Sequence, residues 1–159
     1  MNKSIVGAIA VAAFFSHAPA AERPHVIPPQ RVAHYWLLES SSAQARVPNS
    51  GRNLSAPSCA AVAYTIEKNG STSNVKLERL VPPGDLGNVA VRVVAGMQFA
   101  PTPQNLGKDR VSTYVVMPFN LPAADPNKPD VQALRARVLA PCELKGFGKP
   151  ADNVVNIVQ

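Results

Sequence analysis

Residues 61–66 alternate small and large, with Val62, Tyr64 and Ile66 on one side and Ala61, Ala63 and Thr65 on the other. Asn69-Gly70 follows almost at once, and no other stretch limits the fold as tightly. Period two with β-branched and aromatic residues is the signature of a strand. Asn-Gly is the strongest short hairpin signal, because both residues tolerate the positive φ of a type I′ turn. Val75, Leu77 and Arg79 then alternate with Lys76, Glu78 and Leu80. They predict the returning strand, with Ser71, Thr72, Ser73 and Asn74 widening the turn.

The run Pro82-Pro83-Gly84-Asp85 ends that strand, and Asp85 is placed to cap a helix. Leu86, Val89, Ala90, Val93, Val94 and Met97 recur at helical spacing and form one apolar stripe. Valine is a modest helix former, so this helix is expected to depend on packing against the hairpin. It should end in Met97-Gln98-Phe99-Ala100-Pro101. After a turn at Asn105-Leu106-Gly107-Lys108, residues 110–119 predict a third strand. Val111, Thr113, Val115, Met117 and Phe119 would lie on one face, Tyr114 and Val116 on the other. Pro118 cannot donate to a ladder, which marks a strand end or an edge.

The rest of the chain is organised around this unit. Lys3, an apolar run over residues 5–15 and Ala18-Pro19-Ala20 match a signal peptide cut after Ala20. The alternative is an uncleaved anchor facing the periplasm, and only then would the chain contact a membrane. The apolar run is shorter than the roughly 20 residues a spanning helix needs. Residues 21–57 form an N-terminal extension. Within it, 21–30 carries Pro24, Pro28 and Pro29 and should be extended and poorly packed. Residues 31–44 offer a short helix through Val32, Tyr35, Trp36 and Leu38, and 48–57 is loop. Tyr35 and Trp36 either pack that helix onto the sheet or form an exposed patch. Residues 122–159 are a C-terminal tail with a short helix near 131–139.

Losing 1–20 removes Lys3 and lowers the net charge from +6 to +5. The basic residues are dispersed without a cluster, which argues against a nucleic-acid face. Cys59 and Cys142 both survive cleavage, and an even count in an oxidising compartment predicts one disulfide rather than free thiols or bridges to a partner. They form no C-x-x-C pair and keep no ligand spacing to His25 or His34, so neither a metal site nor a redox dithiol is expected. Ser58 lacks a G-x-S-x-G context, and Glu39, Glu67, Glu78 and Asp85 are scattered. No catalytic residue and no cofactor are predicted.

The order strand, Asn-Gly turn, strand, helix, F-x-P, glycine turn and strand resembles the C-terminal domain of TonB, the energy transducer of Gram-negative envelopes. The likeness rests on residues 62–66, Asn69-Gly70, 75–81, 86–97, Phe99-Ala100-Pro101, Gly107 and Val115-Val116-Met117-Pro118-Phe119, and covers 58–121. Met97 stands where that family often has tryptophan. The long proline-rich spacer of a transducer is missing, since residues 21–30 are far too short for it at ~3.1 Å per residue.

The resemblance implies an α+β fold, a small antiparallel three-stranded sheet with helices on one face around a ββαβ core. It further implies binding in the periplasm by strand addition, with an extended peptide from an envelope protein, such as a TonB-dependent outer-membrane receptor, pairing along the third strand. Here that segment is Arg110, Val111, Ser112, Thr113, Tyr114, Val115 and Val116. Two alternatives stand beside it. One is a structural envelope scaffold with no transport role, its edge covered by the C-terminal tail. The other is an enzyme or enzyme inhibitor on the same fold.

Overall fold

A computed structural model describes residues 22–41 and 48–147, with main chain alone at 40 and 41. The expected leader, 1–20, and the end of the tail lie outside these residues. In chain order the elements are β1 (His25–Val26), α1 (Val32–Tyr35), β2 (Trp36–Ser41), β3 (Ser58–Ile66), β4 (Thr72–Val81), α2 (Leu86–Ala95), β5 (Met97–Pro101), β6 (Val111–Phe119) and α3 (Pro129–Leu139). No helix among the described residues is long and apolar enough to cross a membrane.

The alternation around Asn69-Gly70 does build a hairpin, β3 against β4, but not through a type I′ turn. Gly70 alone carries positive φ there, +81°, and its N–H donates to the Glu67 carbonyl at 2.8 Å. Lys68 and Asn69 therefore form the bend and Gly70 supplies the left-handed residue after it, the usual three-residue hairpin loop. The Asn69 side chain accepts from the Ser71 N–H at 3.0 Å and holds this shape. A Cβ on Gly70 would lie 1.9 Å from the Phe99 carbonyl oxygen, so glycine is required twice over. β4 is bulged at two places, once near Glu78 and once at Asn74, whose φ is +50°.

α+β is the fold class, but the sheet is not the expected three antiparallel strands. Four strands run in the order β1-β6-β3-β4, with β1 parallel to β6 and the other pairs antiparallel. β2 and β5 form a separate antiparallel pair. The extra strands come from stretches read as loop or helix. His25–Val26 lies in the proline-rich segment and pairs with Val111 and Ser112. The helix expected over 31–44 stops at Tyr35, and Trp36 starts a strand because it pairs opposite Pro101 and buries its ring, 1% exposed, in the core. Its indole N–H donates to the Asp109 carbonyl at 3.0 Å.

The helices also fail to share one face. Along β3, Ala60, Val62, Tyr64 and Ile66 pack with Ala90 and Val94 of α2 and with Trp36 and Phe99. Cys59 and Ala61 point the other way, onto Cys142 and Leu139 at the end of α3. The Cys59–Cys142 disulfide closes this second layer, S–S 2.02 Å across a sequence separation of 83. Asp85 sits at the start of α2 without capping it. Its carboxylate instead accepts from the Arg52 N–H at 2.7 Å, which ties down the 48–57 loop.

Candidate functional site

β6 is antiparallel to β3 in unbroken register from Val111 opposite Ile66 to Phe119 opposite Ser58. Its other edge meets β1. The His25 N–H donates to the Arg110 carbonyl at 2.8 Å and the Ile27 N–H to the Ser112 carbonyl at 3.0 Å. Main-chain groups of a strand alternate sides, so the even-numbered residues of β6 direct theirs outward and the odd-numbered ones bond β3. Val111, Thr113 and Val115 are thus committed to the interior ladder. Ser112 is committed to β1. Tyr114 and Val116 turn their N–H and C=O outward, and among the described residues these groups have no main-chain partner. The ladder with β1 cannot continue, because Pro28 and Pro29 follow and neither has an N–H. Pro118 occupies the next outward position, where its missing donor costs the inner ladder nothing.

The opposite edge of the sheet is protected. β4 carries two bulges and exposes Lys76, Glu78 and Arg79, devices that discourage pairing with another chain. Among the described residues, the open stretch of edge therefore runs along the second half of β6.

Arg110 does not project freely into this edge. Its guanidinium makes a two-pronged pair with Glu67, Nε to Oε2 at 2.6 Å and Nη2 to Oε1 at 2.8 Å. Its Nη1 donates to the Glu22 carbonyl at 2.9 Å. The Ser73 hydroxyl donates to the same Glu67 carboxylate. Lys68 holds the Glu22 carboxylate at 3.0 Å. Arg110 thus fastens the segment bearing β1 to the base of the hairpin. Bonding from Arg110 first, then Ser73, holds the Glu67 carboxyl below its ordinary range.

This pair gives a pH dependence of definite sign. A carboxyl with a depressed folded pKa adds stability that is complete above its unfolded value, about 4.3 for glutamate, and is lost as pH falls through the folded value. Glu67→Gln should therefore lower stability at pH 7, with the gap to the parent closing as pH drops below about 4. Urea midpoints for both chains at pH 7, 5 and 3 measure it. A gap that is constant across that range removes the ion pair as its source.

Beside the open edge lies a groove of about 700 Å³. Tyr114 and Val116 of β6, Pro28 and Pro29 after β1, and Leu144 and Phe147 of the tail line it, the tail residues packing in one cluster with Tyr114 and Val116. The Phe147 ring stands 4.9 Å from that of Tyr114. Gln30, Arg79, Glu143 and Lys145 supply its polar groups, and all four are exposed. The sequence places Tyr114 and Val116 in the binding segment, reads Pro28 and Pro29 as part of a poorly packed extension and Glu67 as a scattered carboxylate, and does not single out Leu144 or Phe147. The only available signal for the tail was Cys142, close ahead of Leu144 and Phe147.

The remaining candidates are dispersed. Trp36 is buried, so Tyr35 and Trp36 form no exposed patch. His25 is exposed on β1, and the His34 ring meets Tyr35 edge-on at 5.1 Å. Glu78 pairs with Lys76 at 2.9 Å. Among the described residues no three His, Cys, Asp or Glu side chains cluster as metal ligands would. No protein-family model, curated protein or solved structure matches the chain significantly.

Proposed function

We propose that this chain is a periplasmic binding module of TonB type, which takes up an extended peptide of an envelope protein by strand addition along β6. The observation that carries the proposal is the outward main chain of Tyr114 and Val116, which has no main-chain partner among the described residues, on a strand whose next outward site already pairs with β1. An added strand satisfies such groups directly. The disulfide is compatible with an exported protein. A TonB-dependent outer-membrane receptor is the partner the resemblance suggests.

Titration of receptor N-terminal peptides into labelled chain should shift the amides of Tyr114 and Val116 most. Val116→Pro deletes one outward donor without touching the β3 ladder, and Pro118 shows that this edge tolerates proline. Its melting temperature should stay near the parent's while affinity falls about two- to twelve-fold, the worth of one hydrogen bond. Thr113→Ala should bind as the parent does. Shifts gathered elsewhere, or full affinity in Val116→Pro, reject strand addition here. The scaffold reading rests on one observation, that β1 already occupies Val111 and Ser112. It gains if no peptide moves the β6 amides.

A further inference from the structure

Strand parity fixes where the side chains of an added strand must go. Residues directly opposite one another in neighbouring strands send their side chains to the same face. Tyr114 and Val116 belong to the disulfide face, with Cys59, Ala61 and Cys142. Residues paired with them therefore point to the face of the groove, which Leu144 and Phe147 also line. Residues paired with Val115 and Met117 point to the α2 face, where those two side chains are half-buried.

The groove continues an interface the protein already uses. β1 covers the same edge one step earlier, and its ladder ends just before Pro28 and Pro29, which line the groove. Part of the groove's lining belongs to the tail. Leu144 and Phe147 follow Cys142 closely, and the bond from Cys142 to Cys59 holds them over the sheet, helped by the Arg79 guanidinium donating to the Pro141 carbonyl at 2.7 Å. Leu144 and Phe147 are half-buried, whereas the polar lining residues Gln30, Arg79, Glu143 and Lys145 are exposed.

We propose that the β6 edge selects an extended peptide of another protein with apolar side chains at two positions separated by one residue, the pair entering the groove while the backbone pairs with Tyr114 and Val116. This rests on the strand-addition reading and names its specificity. Discrimination comes from Phe147 and Leu144, which touch the peptide side chains and take no part in main-chain pairing. The tail, fixed by the disulfide, is then part of the binding site.

The test uses two capped heptapeptides in a threonine-serine background, one with valine at two alternate positions and one with serine there, titrated into the labelled chain. The valine peptide should bind about ten-fold more tightly, since burial of aliphatic groups drives its preference. Phe147→Ala should bring the two affinities within about two-fold, while the amides of Tyr114 and Val116 still shift. Leu144→Ala, in the same lining, is the second variant should Phe147→Ala unfold. A valine preference that persists in both variants, or none in the parent, overturns the specificity while strand addition stands. Failure of both peptides to shift Tyr114 and Val116 overturns strand addition itself. Shifts of those amides with protein concentration alone assign the edge to a second copy and overturn the proposal.

Discussion

Trp36→Ala should destabilise the protein by about 3–5 kcal/mol, the usual cost of truncating a fully buried large aromatic. Small domains have only about 5–15 kcal/mol in hand, so the variant should be close to unfolding at 37 °C. Three features place Trp36 among the costly positions. Its ring is 1% exposed within the cluster that includes Ile27, Tyr64, Phe99 and Val111. Its N–H reaches the Asp109 carbonyl just ahead of β6, so truncation also strips a carbonyl of its partner. And it opens β2, whose pairing with β5 closes that side of the core. Trp36→Phe keeps most of the burial and should lose much less. Leu37→Ala, at a side chain 52% exposed, should fall within about 0.5 kcal/mol of the parent. Urea denaturation of the four chains gives the comparison. The parent's only tryptophan also reports directly, with blue-shifted emission that moves red on unfolding. A Trp36→Ala chain as stable as Leu37→Ala places β2 outside the core.

Trp36 also shows where sequence reasoning stopped working. The hairpin, α2 and β6 were legible because each carries a periodicity long enough to exclude alternatives. Residues 61–66 of β3, for example, alternate small and large. Even there the detail shifted: Val93, placed on the stripe, is only half-buried, whereas Val94 is fully buried. β1 has two residues and both side chains are exposed, so it has no periodicity to display. The main chain of β6 and the contacts of Arg110 and Lys68 to Glu22 give it a place, and Pro28 and Pro29 disguise it as a linker. In 31–44, Val32, Tyr35 and Trp36 keep helical spacing, yet the helix has four residues, too short to be stable alone. What decides that segment is the depth of the core beneath Trp36, a tertiary fact. The edge residues Tyr114 and Val116 were visible as members of a strand. Which residues of that strand faced outward depended on its register with β3, and the part of the groove lined by Leu144 and Phe147 depended on the path of the tail.

Removing the disulfide should be the other large perturbation. Cys59 and Cys142 are both 0% exposed, so the double variant Cys59→Ala/Cys142→Ala is the clean comparison and leaves no lone thiol buried. With a sequence separation of 83 between the bonded positions, the chain-entropy model assigns the cross-link roughly 4.5 kcal/mol. Native disulfides of small secreted domains commonly measure 2–5 kcal/mol by deletion, so a loss of about 3–4 kcal/mol is expected. The loss should fall unevenly on the structure. α3 has no buried residue and no side-chain cap, so little besides the covalent bond, Leu139 and the residues after it holds the tail to the sheet. β3 keeps its ladders to β4 and β6 and its packing on α2 with or without the bond. Hydrogen exchange should therefore rise first over 129–147 in the double variant, ahead of any change in β3. Peptide selectivity at the β6 edge should weaken with it, since Leu144 and Phe147 lose their fixed position. Exchange that rises equally in β3 and α3 shows instead that the bond secures the whole domain as one cooperative unit. An unfolding free energy within about 1 kcal/mol of the parent, with the tail still protected, rejects the bond as the main tether.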